Sequence, residues 1–64
     1  MKKLRLKKSD DYIVVVRPNG WTKVYHKEKM IAHAINFEAA RQFIYKRLHG
    51  DKGYISEEDF EEIE

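Results

Sequence analysis

Apolar residues alternate with polar ones in the first half of the chain and follow a helical spacing in the second. Residues 11–17, Asp-Tyr-Ile-Val-Val-Val-Arg, are rich in β-branched side chains, too short for a helix, and bounded by Asp10-Asp11 and Pro18. They predict a strand. Residues 21–27, Trp-Thr-Lys-Val-Tyr-His-Lys, predict its partner. Between the two lies Pro18-Asn19-Gly20. Proline presets φ for the second position of a type I turn, Asn suits the third, and Gly takes the left-handed conformation that closes a three-residue hairpin with a bulge.

That loop length sets the register. Arg17 then faces Trp21, Val16 faces Thr22, Val15 faces Lys23, Val14 faces Val24, Ile13 faces Tyr25 and Tyr12 faces His26. Because side chains alternate across a sheet, the pairs divide into two faces. One holds Tyr12, Val14, Val16, Thr22, Val24 and His26, small and aliphatic enough to accept a helix. The other holds Ile13, Val15, Arg17, Trp21, Lys23, Tyr25 and Lys27, mixing rings with cations. A two-residue Asn-Gly turn would shift the pairing by one and recombine the faces, but it would set Pro18 at the last ladder pair.

Residues 30–35, Met-Ile-Ala-His-Ala-Ile, suit a third strand or the opening of a long helix. Asn36 favours the strand, since Asn is a preferred N-cap and Phe37-Glu38-Ala39-Ala40 follows it as a helix start. The helix should run to about Leu48, with Phe37, Ala40, Phe43, Ile44 and Leu48 on its apolar stripe and Glu38, Arg41, Gln42, Tyr45 and Lys46 away from it. Gly50 suits a left-handed C-terminal stop. Further on, Ser56 with Asp59 three residues later resembles a capping box, and Ile55 can staple onto Phe60. These signals predict a short acidic helix from about Glu57 to Ile63, docked through Tyr54, Ile55, Phe60 and Ile63. Residues 1–9 are basic, with only Leu4 and Leu6 apolar within their strand-like alternation, and are expected to form a flexible arm, with an edge strand as the alternative. The expected fold is therefore α+β: a small three-stranded antiparallel sheet, hairpin plus third strand, packed on one main helix, in a single domain spanning 10–64 with a short C-terminal acidic helix.

Composition narrows the function classes. With 64 residues and no Cys, the chain carries neither disulfides nor thiolate zinc sites, and a core of this size rarely supplies more than about 3–5 kcal/mol of net stability. The basic start is followed by no apolar stretch of signal-peptide length, and the longest aliphatic run, Ile13 to Val16, is far below a membrane span. The expectation is a cytoplasmic protein with no membrane partner. His26, His33 and His49 share no metal-ligand spacing. The tail from Gly50 to Ile63 imitates half of a calcium loop, but aligning Gly53 to the invariant glycine puts Leu48, Gly50 and Lys52 where oxygen ligands are needed. No nucleophile–base arrangement is legible either. The chain reads as non-enzymatic, without metal or cofactor.

Charge is lopsided. Residues 1–29 hold nine Lys/Arg against three Asp/Glu, while residues 30–64 hold four against eight. Such halves suit a polyanion partner on the basic side, or termini that are solvated or pair with each other. Rings interleaved with cations are what single-stranded nucleic-acid binding uses, and a narrow sheet can also enter the major groove of DNA. The candidate readers are Arg17, Trp21, Lys23, Tyr25 and Lys27, with Lys2, Lys3, Arg5, Lys7 and Lys8 adding phosphate contacts. The same residues also admit readings without a ligand, as an Arg17–Trp21 cation–π pair or as core.

A Gly20-Trp21 hairpin, then a third strand, then a helix opening at Glu38-Ala39 is similar to small bacterial and phage domains. Over residues 12–48 it resembles the three-stranded-sheet DNA-binding domains of phage-type integrases. That resemblance implies a sheet face turned to DNA. The function expected is a nucleic-acid-binding module, for DNA or RNA, with a regulatory role. The alternative is a phage-derived protein-interaction or inhibitor module using the acidic C-terminal helix or the open sheet face, including self-association through that face.

Overall fold

A computed structural model describes residues 1–8 and 11–63. Ser9 of the expected arm, Asp10, and the terminal Glu64 lie outside the described residues. Strands β1 (Lys2–Leu6), β2 (Tyr12–Val16), β3 (Thr22–His26) and β4 (Lys29–Ala34) lead to helix α1 (Phe37–His49), a 3-10 turn at Glu57–Asp59 and a final strand β5 (Phe60–Glu62). The class is α+β as expected, but the sheet has five strands in the order β4-β3-β2-β1-β5, all neighbours antiparallel.

The hairpin forms in the register its loop dictates, with Val16 opposite Thr22, Val14 opposite Val24 and Tyr12 opposite His26. The Gly20 N–H donates to the Arg17 carbonyl at 2.9 Å and the Arg17 N–H to the Trp21 carbonyl at 2.9 Å. Gly20 sits at φ +97°, the left-handed geometry a side chain would strain. Two further bonds pin the turn: the Trp21 N–H donates to Asn19 Oδ1 at 3.1 Å and the Thr22 hydroxyl to the Gly20 carbonyl at 3.1 Å.

Residues 29–34 take the strand option. The link into them is a two-residue turn, with Lys27 at φ +53° and Glu28 at φ +68°. Positive φ at both central positions is what a type I′ hairpin demands. Neither residue favours it, which is why this turn carries no sequence signal. The ladder then slips between Val24 and Tyr25, where Val24 faces Ala32 but Tyr25 faces Met30, leaving Ile31 as the extra residue of a bulge.

Both additional strands lie at the ends of the chain. Lys2–Leu6, read above as an arm, pairs along β2 with Leu4 opposite Val14, and its other side takes β5 with Leu6 opposite Phe60. The acidic helix expected from Glu57 to Ile63 stops after one 3-10 turn. Its cap is present, since Ser56 Oγ accepts from the Glu58 N–H at 3.3 Å. A helix so short is marginal by itself. Strand pairing instead satisfies the outer edge of β1: the Lys7 N–H donates to the Asp59 carbonyl at 2.8 Å and the Ile63 N–H to the Lys3 carbonyl at 2.8 Å. Pairing also sends Phe60 inward, where its ring meets Phe37 edge-on at 5.3 Å.

Helix α1 packs over one face of the sheet. Asn36 Oδ1 caps it by accepting from the Ala39 N–H at 2.8 Å, and Gly50 ends it at φ +72°. Ala40 and Ile44 pack on Val14, Val24, Tyr12, Leu6, Ile55 and Phe60 to form the core. Arg47 Nε donates to the Tyr12 hydroxyl at 3.1 Å, tying the end of the helix to the sheet.

The helix's burial departs from the apolar stripe at Arg41. This residue is only 8% exposed, because residues 50–57 fold back over it. Its guanidinium lies between the rings of Phe37 and Tyr54, 5.1 and 5.4 Å from their centres, and Nη1 donates to the Ile55 carbonyl at 3.1 Å. Gly53 passes so close to the Tyr45 ring that a Cβ there would lie 2.5 Å from a ring carbon. Tyr54 and Ile63, expected to dock the tail, are instead exposed, and Leu48 is too.

Candidate nucleic-acid interface

Among the described residues, no helix covers the opposite face of the sheet. Strand alternation and the observed registers lay its side chains in two transverse rows. Lys3 on β1 faces Val15 on β2, which faces Lys23 on β3, which faces His33 on β4. One repeat along the strands, Glu61 on β5 is followed by Arg5, Ile13, Tyr25 and Met30. Trp21 adjoins the first row, just ahead of β3. A shallow hollow between the rows is lined by Lys3, Ile13, Val15, Tyr25 and Glu28.

Trp21 is 40% exposed and rests against His33, ring centres 4.9 Å apart at a tilt of 53°. The expected cross-strand partner, Arg17, stands exposed at the loop opposite it. Tyr25 and Lys23 are half-buried on the same face. The indole therefore lies away from Phe43 and Ile44, on the side without the helix.

The basic residues separate. Lys3 and Arg5 share the open face with Lys23. Lys2 pairs with Val16 and so belongs, with Leu4, to the face turned toward the helix. Lys7 and Lys8 follow β1 at the chain's turn toward β2, and Lys27 occupies the type I′ turn at the far end of β3 from Trp21. Arg5 is engaged: its Nε and Nη2 both donate to Glu61 Oε2, the Nε bond at 3.0 Å. The hydrogen bond from Arg5, then its charge, holds the Glu61 carboxyl below the ordinary 4.5, with Lys7 adding to the effect. This cross-strand ion pair is the pairing of oppositely charged termini that the charge distribution allowed.

His33 and Met30 complete the face and were not singled out from the sequence. The signal existed in the alternation of residues 30–35, but the bulge at Ile31 reverses its parity midway, so counting by twos from Ala34 fails to put Met30 on the open side. Elsewhere, Tyr12 stacks on His26 at 4.2 Å and Tyr45 meets His49 at 4.4 Å, both away from this face. Among the described residues no group of three or more His, Asp or Glu is arranged to hold a metal ion, and no helix is long and apolar enough to cross a membrane. Comparison with family models, characterised proteins and solved structures finds no match for the chain.

Proposed function

We propose that the chain is a non-enzymatic binding module for single-stranded nucleic acid, DNA or RNA, and that the helix-free face of its sheet is the contact surface. The observation that carries this reading is the outward position of Trp21 and Tyr25 beside Lys23, with Lys3 across Val15 and Arg17 at the rim. Bases stack on such rings without regard to sequence, while the cations neutralise phosphates.

Sheet width favours a single strand over a duplex. Four gaps of about 4.8 Å separate the outer strands by roughly 19 Å, whereas the major groove is about 12 Å wide and admits a two-stranded ribbon. A face five strands wide does not enter it as a body. Duplex reading would need the Pro18-Asn19-Gly20 tip alone, which leaves Tyr25 outside the groove.

The test is a titration of Trp21 fluorescence with single-stranded oligonucleotides at rising salt. Quenching should appear at low salt and fade steeply as salt rises, with a slope of about −0.7 per phosphate neutralised. Unchanged emission at low salt would remove the reading.

A second reading, docking of a protein partner or a second copy on the same face, draws on the exposed Met30 opposite Tyr25 and the exposed Ile35 just after β4, at 50% and 63%. With Glu57 to Ile63 no longer a helix, a contact through an acidic helix is not carried forward. Concentration-dependent mass by light scattering, without nucleic acid, checks self-association.

A further inference from the structure

Resting on the nucleic-acid reading, we infer that the preferred ligand is an unstacked, pyrimidine-rich single strand whose bases sit on Trp21 and Tyr25 with a phosphate over Lys23 between them. These three residues alternate along one face, ring, cation, ring, with Trp21 just ahead of β3 and Lys23 and Tyr25 on it. Four residues at about 3.3 Å each put the backbone positions that carry the two rings roughly 13 Å apart. Stacked bases repeat at about 3.4 Å. A strand that keeps its own stacking cannot lay one base on each ring, since a base must part from a neighbour to take a side chain in its place. The cost of parting falls on the ligand. It is smallest for pyrimidine runs, whose bases stack weakly and whose backbone bends easily, and largest for adenine runs.

The charge around the path agrees. Lys3 and Lys23 flank Val15 in the row that crosses between the two rings, and Arg17 stands at the Trp21 end. Of the carboxylates on this face, Glu61 on β5 is held by Arg5, and Glu28, at the turn beyond Tyr25, lines the hollow that Lys3, Val15 and Tyr25 also line. A phosphate between the rings thus meets Lys23, while one displaced into the hollow beside Tyr25 meets Glu28. His33 rests against the indole from β4, ring centres 4.9 Å apart.

The experiment compares end-labelled oligo(dT) and oligo(dA) of equal length by fluorescence anisotropy with the whole chain, at several salt concentrations. Equal length means equal charge, so the electrostatic contribution cancels in the ratio. Oligo(dT) should bind roughly tenfold tighter, equivalent to about 1.4 kcal/mol, with the same salt slope for both. W21A, at an exposed position ahead of β3, should lower the oligo(dT) affinity and bring the ratio near one. Equal binding of the two oligomers, tighter oligo(dA), or a ratio untouched by W21A overturns this inference and leaves the wider proposal standing. Binding of neither at low salt overturns both.

Discussion

Val14 and Val15 are neighbours in sequence and identical in chemistry, yet they belong to different worlds. Val14 is fully buried beneath α1, while Val15 lies half-buried on a face with no helix over it. The sheet shows the same contrast along its length: Tyr12, Val14, Thr22 and Val24 on one side are sealed, while Ile13, Val15, Tyr25 and Met30 on the other remain reachable. A single helix of 13 residues has material for one face only. The covered face therefore carries the stability of the domain, and the uncovered one can vary its chemistry at small cost to folding.

The largest effect should come from the covered face. Ile44→Ala removes a fully buried side chain and is expected to cost about 2–5 kcal/mol. That is comparable with all the net stability a domain of this size possesses, so the variant should be largely unfolded at ambient temperature by circular dichroism. Val15→Thr, on the open face, should lower stability by about 0.5 kcal/mol or less, read from the urea midpoint. A Val15→Thr cost approaching that of the Ile44 variant would mean that the open face is sealed in solution, and the contrast would collapse.

Arg41 tests how the seal is completed at the helix's far side. Arg41→Ala leaves the Ile55 carbonyl without its donor and empties the slot between Phe37 and Tyr54, for an expected loss of about 1–3 kcal/mol. Arg41→Met keeps an unbranched apolar chain reaching toward the slot that the guanidinium fills and also removes Nε, a buried donor with no hydrogen-bond partner. It should recover part of that loss, because burying a cation is itself costly. The ion pair to Glu57 at 3.6 Å adds little, as Glu57 is largely in solvent. Equal midpoints for the two variants would show that the charge, not the stem, holds residues 50–57 down.

These contrasts also explain what was legible in the sequence. The hairpin and its register were, because Pro18-Asn19-Gly20 admits few loop geometries and a period of two then assigns every residue to a face. Helix α1 was legible between Asn36 and Gly50 for the same local reason. What escaped was settled at long range. Nothing near Arg41 in sequence announces that residues 50–57 will cover it. Ser56 and three acids are honest helix-start signals, and they do produce a turn, but the outer edge of β1, more than fifty residues away, offers Phe60 a better partner. Leu4 and Leu6 hinted at β1 only through shared parity. At the candidate site, Trp21, Lys23 and Tyr25 were readable as one outward row; His33 and Met30 were not, since the bulge at Ile31 hides their common side.

A smaller effect, of opposite sign, is expected at the turn between β3 and β4. Glu28 adopts φ +68°, a conformation that costs an ordinary side chain about 1–2 kcal/mol. Glu28→Gly relieves that strain but widens the unfolded ensemble by about 0.4–1 kcal/mol. The net should be a stabilisation of roughly 0.5 kcal/mol, read as a higher urea midpoint. The same change removes a carboxylate from the hollow beside Tyr25, so oligonucleotide affinity should rise as well. Stability and binding would then move together at a position where the open face meets a strained turn; higher stability with unchanged affinity would place the ligand's path away from Tyr25.

The weakest effect on folding belongs to the Arg5–Glu61 pair, and it offers the finest probe of the open face. The Glu61 carboxyl is held below 4.5 by the hydrogen bond and charge of Arg5. A carboxylate whose folded value is depressed lends stability above its ordinary value and loses it as pH falls through the lowered one. The acid limb of the stability curve should therefore contain a small contribution that vanishes in Glu61→Gln. Both side chains are well exposed, 53% for Arg5 and 39% for Glu61, so solvent screening keeps that contribution slight. Binding should report the pair more clearly than folding does. Glu61→Gln removes the charge that occupies Arg5 and hands the guanidinium to the sheet face it already shares with Lys3 and Lys23. If phosphates travel across that face, the salt slope for oligonucleotide binding should steepen by about 0.7, the increment of one further contact. An unchanged slope would confine the ligand to the Trp21–Tyr25 side of β2 and leave β1 as scaffold alone.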